Sequence, residues 1–167
     1  PEWANDMPAD SRFVISPDEK FMLRLDATNQ LNLVRLSDNN IVQTFDYSDS
    51  VHVTAFVFSG TGYYILIGFS DGHIETHGIQ NAPLYQQIAG LTHEGAVTAI
   101  AMNNTESLIA VADEARILTF WRTLNPIAPL YRIELPEVAG DLEFSPNSRI
   151  LIVRDREGAF LTALQVP

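Results

Sequence analysis

One turn signal returns along this chain at a nearly constant interval. Ser16-Pro17-Asp18-Glu19, Ser59-Gly60-Thr61-Gly62, Asn103-Asn104-Thr105-Glu106 and Ser145-Pro146-Asn147-Ser148 are clusters of capping and turning residues, and their first residues lie 43, 44 and 42 apart. A period in this range constrains the fold more than any single strand does, because each unit must bury its apolar face against the next. A short apolar strand is predicted before each turn, at Phe13 to Ile15, Val53 to Phe58, Val97 to Met102 and Asp141 to Phe144. A second, rich in β-branched and aliphatic residues, is predicted after each, at Phe21 to Leu25, Tyr63 to Phe69, Leu108 to Ala112 and Ile150 to Val153. Tight turns follow at Thr28-Asn29, Asp71-Gly72, Glu114-Ala115 and Glu157-Gly158. Third strands then begin at Leu31, Ile74, Ile117 and Phe160, which lie 15, 15, 14 and 15 residues past the start of each unit's first turn and so imply one deletion in the third unit. A fourth strand is predicted at Ile41 to Phe45, Leu84 to Ile88 and Leu130 to Leu135, and the last unit has none.

Four short strands in each period of about 43 residues, joined by hairpins, predict an all-β fold of β-propeller blades. The expectation is four antiparallel repeats, nominally four-stranded, near 10–47, 48–91, 92–136 and 137–167, forming one propeller segment over 1–167. No stretch sustains the 3.6-residue apolar period of a helix. Apolar residues make up 46% of the chain, and a chain of this length can bury roughly 68–70% of its unfolded surface, so a packed core is available. The stretch Pro1 to Pro8 could complete the last blade, but its two prolines make it a weak strand. The expectation is therefore half of a larger propeller, or a homodimer closing a ring of about eight blades. The chain starts without an initiator Met or a basic-then-apolar leader, which suggests a processed product or a piece cut from something longer.

Charge narrows the partners. Ten Lys and Arg against twenty-one Asp and Glu give a net charge of −11, which repels a phosphate backbone, so neither nucleic acid nor an anionic membrane is expected. No run reaches the ~18 apolar residues of a spanning helix, so no membrane segment is expected within the chain. The absence of Cys excludes thiol nucleophiles and thiolate-held metals. Glycines are scattered singly and no Gly-x-Ser-x-Gly elbow occurs, so no cofactor is expected.

The stretch Leu91-Thr92-His93-Glu94-Gly95-Ala96-Val97 resembles the Gly-His opening of the WD-repeat β-propeller family, with His93 on the family's His. Ser70-Asp71-Gly72-His73-Ile74 resembles that family's turn between second and third strands, with Asp71 on its structural Asp. In this alignment the family's Trp position holds Val34, His77, Phe120 and Ala163, with Trp121 one residue late. The family's hydrogen-bonded His–Asp–Trp arrangement is then not expected to form fully in any unit. Separately, Gly140-Asp141-Leu142-Glu143-Phe144-Ser145-Pro146 is similar in style to the extracytoplasmic propeller-like repeats of large bacterial phosphate-transport permeases, a likeness that would place the chain in a bacterial periplasm.

Few residues invite chemistry. His73, Glu75 and His77 alternate on one strand face, and two His with a carboxylate suit zinc or iron. Three such residues span ~13 Å, which strains ligation of one ion and favours histidines satisfied by their neighbours. His93 beside Glu94 reads as the structural His rather than a general base, since no nucleophile can be assigned to it. Glu134, Glu137, Asp141 and Glu143, with Glu94, Asp113 and Glu114, read as a solvated acidic face. Trp3, Trp121 and Glu94 are the candidate contacts for a partner.

The resemblance implies a non-catalytic scaffold for protein–protein interaction, bound to a protein partner or to the remainder of a larger chain. Two alternatives stand beside it: an extracytoplasmic domain of a phosphate-transport permease, and a metal-dependent hydrolase or lyase on propeller loops. One fold hosts many activities, so the fold alone does not choose among them.

Overall fold

The computed structural model describes residues 12–47, 50–79, 86–123 and 128–166. Fifteen strands run through them: β1 (Arg12–Ile15), β2 (Phe21–Leu25), β3 (Leu31–Arg35), β4 (Asn40–Phe45), β5 (Val53–Phe58), β6 (Tyr64–Phe69), β7 (His73–Gly78), β8 (Gln86–Thr92), β9 (Val97–Met102), β10 (Leu108–Asp113), β11 (Ile117–Arg122), β12 (Ala128–Glu134), β13 (Ala139–Phe144), β14 (Ile150–Asp155) and β15 (Phe160–Gln165). They form four separate antiparallel sheets in sequence order, β1–β4, β5–β8, β9–β12 and β13–β15, which we call blades 1 to 4. Among the described residues there is no helix, and blade 4 has three strands, as the repeat predicts. The stretch Pro1 to Pro8, with Trp3, lies outside the described residues, as do residues 84 and 85 at the predicted start of the fourth strand of blade 2.

The repeated turn has one physical design. The side-chain oxygens of Ser16, Ser59, Asn103 and Ser145 each accept the N–H five residues on, from Phe21 (2.9 Å), Tyr64 (3.2 Å), Leu108 (3.0 Å) and Ile150 (3.0 Å). Three residues past each capping residue the backbone turns left-handed, at Glu19 (φ 56°), Gly62 (φ 74°), Glu106 (φ 55°) and Ser148 (φ 58°). Short polar side chains that bond their own backbone suit such a turn better than a strand or helix.

The second turns correct the register of the third unit. The left-handed residues are Asn29, Gly72, Arg116 and Gly158, and each of their N–H groups bonds the carbonyl three residues back. The third turn is therefore Ala115-Arg116, not Glu114-Ala115. Leu31, Ile74, Leu118 and Phe160 each pair with the residue just before their turn, namely Leu25, Gly68, Ala112 and Arg154. Leu118 thus takes the place assigned to Ile117, the interval is 15 residues in every unit, and no deletion exists. Apolar type alone does not fix this register, because Ile117 and Leu118 are both apolar.

Alternation along the strands gives each blade two packing faces. Phe21, Leu23, Leu31 and Leu33 of blade 1 close on Phe58, Ile65, Ile67 and Phe69 of blade 2. Leu66 and Ile74 on the other face of blade 2 meet Val97, Ile109, Val111 and Trp121 of blade 3. The third seam sets small residues, Ala99, Ala101, Ala110 and Ala112, against Leu142, Leu151 and Val153 of blade 4. Each fully buried large aliphatic or aromatic side chain in these seams contributes about 1.5–3 kcal/mol. The first strands β1, β5, β9 and β13 neighbour one another in turn and form the inner edge of the array. Gly68 on β6 admits β9, since a Cβ there would lie 2.5 Å from Val97.

The outer faces of the end blades differ from these seams. Phe13 and Ile15 of blade 1 are exposed. On blade 4, Ile150 and Phe160 are exposed, and Arg154, the cross-strand partner of Phe160, is bonded to Asp141 (2.6 Å) and Glu143 (2.8 Å).

Candidate functional site

On β7, His73, Glu75 and His77 face blade 1, while Ile74 is buried toward blade 3. Glu75 Oε2 accepts from the Tyr47 hydroxyl (3.2 Å) and bonds His77 Nε2 (2.8 Å), and Glu75 Oε1 lies 3.7 Å from His73 Nε2. His73 Nδ1 bonds Asp71 Oδ1. Burial raises the Asp71 carboxyl, but its hydrogen bonds with His73 outweigh this and hold it below the ordinary carboxylate value. Phe69 stacks on His73 with centroids 4.0 Å apart, and Phe45 meets His77 edge-on at 4.9 Å. The three candidate ligands are thus brought together, but each imidazole meets its own oxygen of one carboxylate. Among the described residues, no group of three or more His, Asp or Glu side chains is arranged to hold a metal ion. The geometry is that of a hydrogen-bonded brace between blades 1 and 2.

His93 lies just before β9. Its N–H donates to Gly72 O (3.0 Å), and its Nδ1 bonds Asp113 Oδ2 (3.0 Å), whose other oxygen accepts the Ile117 N–H (2.9 Å). The two side chains are 2% and 0% exposed, which closes the pair to any substrate. In the corrected register Trp121 occupies the same place as Val34, His77 and Ala163, the family's Trp position, and its ring meets His93 edge-on at 6.4 Å. His93, Asp113 and Trp121 therefore meet in blade 3, but the family's fully hydrogen-bonded arrangement does not form there, and its Asp position holds Ala115. The three are held by the His–Asp bond and by packing, since Trp121 Nε1 and His93 Nε2 are buried without a hydrogen-bond partner among the described residues. Trp121, proposed from sequence as a partner contact, is 8% exposed and belongs to the seam between blades 2 and 3.

Along the first strands runs a groove that sequence reading did not single out. Two cavities, of about 450 and 220 Å³, share Arg12, Thr54, Thr98 and Gly140 in their walls. Glu114 and Arg156 line the larger, and Phe13, Val14, Phe56, Ile100 and Leu142 help line the smaller. Arg12 donates from Nη1 to Thr54 O (2.7 Å) and from Nη2 to Val53 O (3.2 Å), and its Cζ sits 5.5 Å from the Phe56 ring centroid. Burial lowers its pKa, and among the described residues no carboxylate pairs with it. Arg156 donates to Glu114 Oε1 at 2.9 Å. A cation opening the first inner strand of so acidic a chain was the available signal for this groove.

The acidic residues do not gather into one site. Glu134 pairs with Arg116 at 3.2 Å, Asp141 and Glu143 pair with Arg154, Glu114 pairs with Arg156, and Asp113 is buried. Glu94 is 79% exposed and lies 3.9 Å from Arg132. Exposed pairs of this kind contribute about 0–1 kcal/mol each.

Comparison with known proteins agrees with this geometry. The chain is similar to the β-propeller domain of Cps50 (Swd1) from Myceliophteria thermophila, with a TM-score of 0.73 and 15% identity over 93% of this chain. It spans 52% of that solved chain, about half its length. No curated protein matches the sequence. The family pattern described as the anaphase-promoting complex subunit 4 WD40 domain matches residues 16–103, more than half of the chain. Neither finding supports the likeness to phosphate-transport permeases. With the four repeated blades, that match shows that the chain belongs to the family of the anaphase-promoting complex subunit 4 WD40 domain.

Proposed function

We propose that this chain is a non-catalytic propeller scaffold whose inner groove and turn surfaces bind another protein. The observation that carries the reading is the bonding of successive turns across blades. Thr61 of blade 2 bonds Glu106 of blade 3, and Asn104 of blade 3 bonds Pro146 O (2.8 Å) and Ser148 Oγ (3.3 Å) of blade 4. On the other side of the array, Asn29 of blade 1 donates to Val51 O (3.0 Å) and accepts from the Val53 N–H (2.8 Å). Polar turn groups are thereby fixed in relation to one another over several blades, which lowers the ordering cost of binding a partner.

Ring completion belongs to the same reading. The chain covers about half of a solved propeller, and the open faces of blades 1 and 4 then meet further blades, from a second copy or from a longer chain. Affinity capture from the source cells, with wild type compared against a Glu94→Lys, Glu114→Lys double variant of unchanged melting temperature, tests the scaffold. A discrete partner set retained by wild type and lost by the variant supports it. Identical sets from both proteins, or stoichiometric zinc, iron or manganese with turnover lost in His73→Ala, would overturn it.

A further inference from the structure

We infer that the groove along the first strands takes the side-chain carboxylate of an acidic residue flanked by apolar residues in an extended peptide. This deepens the scaffold reading and rests on it. A guanidinium carries five N–H donors, and the two bonds of Arg12 to Thr54 O and Val53 O leave donors for a ligand. Carbonyl oxygens do not neutralise a cation, so a guanidinium that lines a groove with no carboxylate bonded to it among the described residues can take an anion. Most other cations in the chain already have such a partner: Lys20, Arg35, Arg116, Arg132, Arg154 and Arg156 all pair with carboxylates. The charged walls of the larger cavity, Arg12 and Arg156 against Glu114, sum to one positive charge on a chain of net charge −11. Thr98, which lines both cavities, has a buried hydroxyl without a hydrogen-bond partner among the described residues.

The smaller cavity sets the rest of the ligand. Phe13, Val14, Phe56, Ile100 and Leu142 make its walls largely apolar, and the one carboxylate there, Asp141, is already bonded to Arg154. Because the two cavities share four wall residues, one ligand with a carboxylate next to an apolar side chain fills both, whereas a free inorganic anion fits only the first. An extended peptide supplies both groups on neighbouring residues.

Fluorescence anisotropy with labelled Gly-Leu-Glu-Leu-Gly and Gly-Leu-Gln-Leu-Gly at low salt tests this assignment. The Glu peptide is expected to bind at least tenfold more tightly, Arg12→Gln to abolish that preference, and Arg12→Lys to keep part of it. Arg116→Gln, which lies outside the groove, is expected to change nothing. Since Arg12 also joins blades 1 and 2, the surface variant Arg156→Gln is read in parallel, with severalfold weaker binding at an unchanged melting temperature. Equal affinity for both peptides would overturn the carboxylate assignment and leave the scaffold standing. Inorganic phosphate displacing the peptide at equal concentration would show a free-anion site and overturn the peptide. Binding of neither peptide would overturn the groove as the site, while the capture experiment above decides the scaffold separately.

Discussion

The N–H and the hydroxyl of Thr61 in blade 2 both donate to one oxygen of Glu106 in blade 3, at 2.9 and 2.6 Å. Burial raises the Glu106 carboxyl, but the bonds from Thr61 and Ser59 outweigh it and hold the group below its ordinary value. A carboxyl with a lowered folded pKa stabilises the fold above its unfolded value, about 4.3, and that contribution is lost as pH falls through the folded value. Asp18 and Asp26 act with the same sign: the Ser16 hydroxyl lowers Asp18, and at Asp26 burial is outweighed by bonds from Thr28 and Gln30. We expect a melting temperature level from pH 8 to about 5 that declines below about 4. Thr61→Val should cost about 1 kcal/mol at pH 7 and make the acid decline shallower. An equally steep decline in Thr61→Val would contradict the role given to this link.

The buried pair in blade 3 should be far more sensitive. Asp113→Ala strands the His93 Nδ1 group and the Ile117 N–H in the interior, and removing one member of a buried pair costs about 3–5 kcal/mol. Urea denaturation of Asp113→Ala, with Glu114→Ala as the exposed neighbour, measures the difference. The second variant should lie within about 1 kcal/mol of wild type.

Two glycines with the same backbone sign should respond differently. A Cβ at Gly72 (φ 87°) would sit 2.3 Å from His93 O, whereas at Gly158 (φ 83°) no atom lies within 4 Å. Gly158→Ala should therefore cost only the left-handed penalty of about 1–2 kcal/mol. Gly72→Ala must also push apart the contact between blades 2 and 3 and should cost clearly more. Thermal melts of both variants settle the order.

Relief of strain offers a gain. Glu19 holds φ 56° in the first turn of blade 1, where its counterpart in blade 2 is Gly62. Glu19→Gly should stabilise by about 0.5–1 kcal/mol, seen as a rise of roughly 2–3 °C in Tm. A lower Tm would mean that the Glu19 side chain has a role beyond occupying the turn.

Much of the fold was legible because its turns are local. Ser16, Ser59, Asn103 and Ser145 bond their own backbone within five residues, so spacing alone located blades and hairpins. The third-unit register was misread because a one-residue slip between Ile117 and Leu118 keeps the apolar pattern, and only the left-handed Arg116 breaks the tie. That slip concealed the family position of Trp121. The site was less legible. Alternation on one strand correctly put His73, Glu75 and His77 on one face, but Tyr47 and Phe45 come from blade 1 and no local pattern announces them. Arg12 meets Val53 and Thr54 across 41 and 42 residues, a contact set by how blades stack.

Among the described residues the apolar seams join consecutive blades, 1 to 2, 2 to 3 and 3 to 4. Such an array behaves thermodynamically like a short one-dimensional stack, its stability a sum of unit and nearest-neighbour terms. Blades 2 and 3 are gripped from both sides within the described residues, so their strands should be the hardest to open, whatever flanks blades 1 and 4. Amide hydrogen exchange would then be slowest in β6 and β10, the second strands of the two central blades.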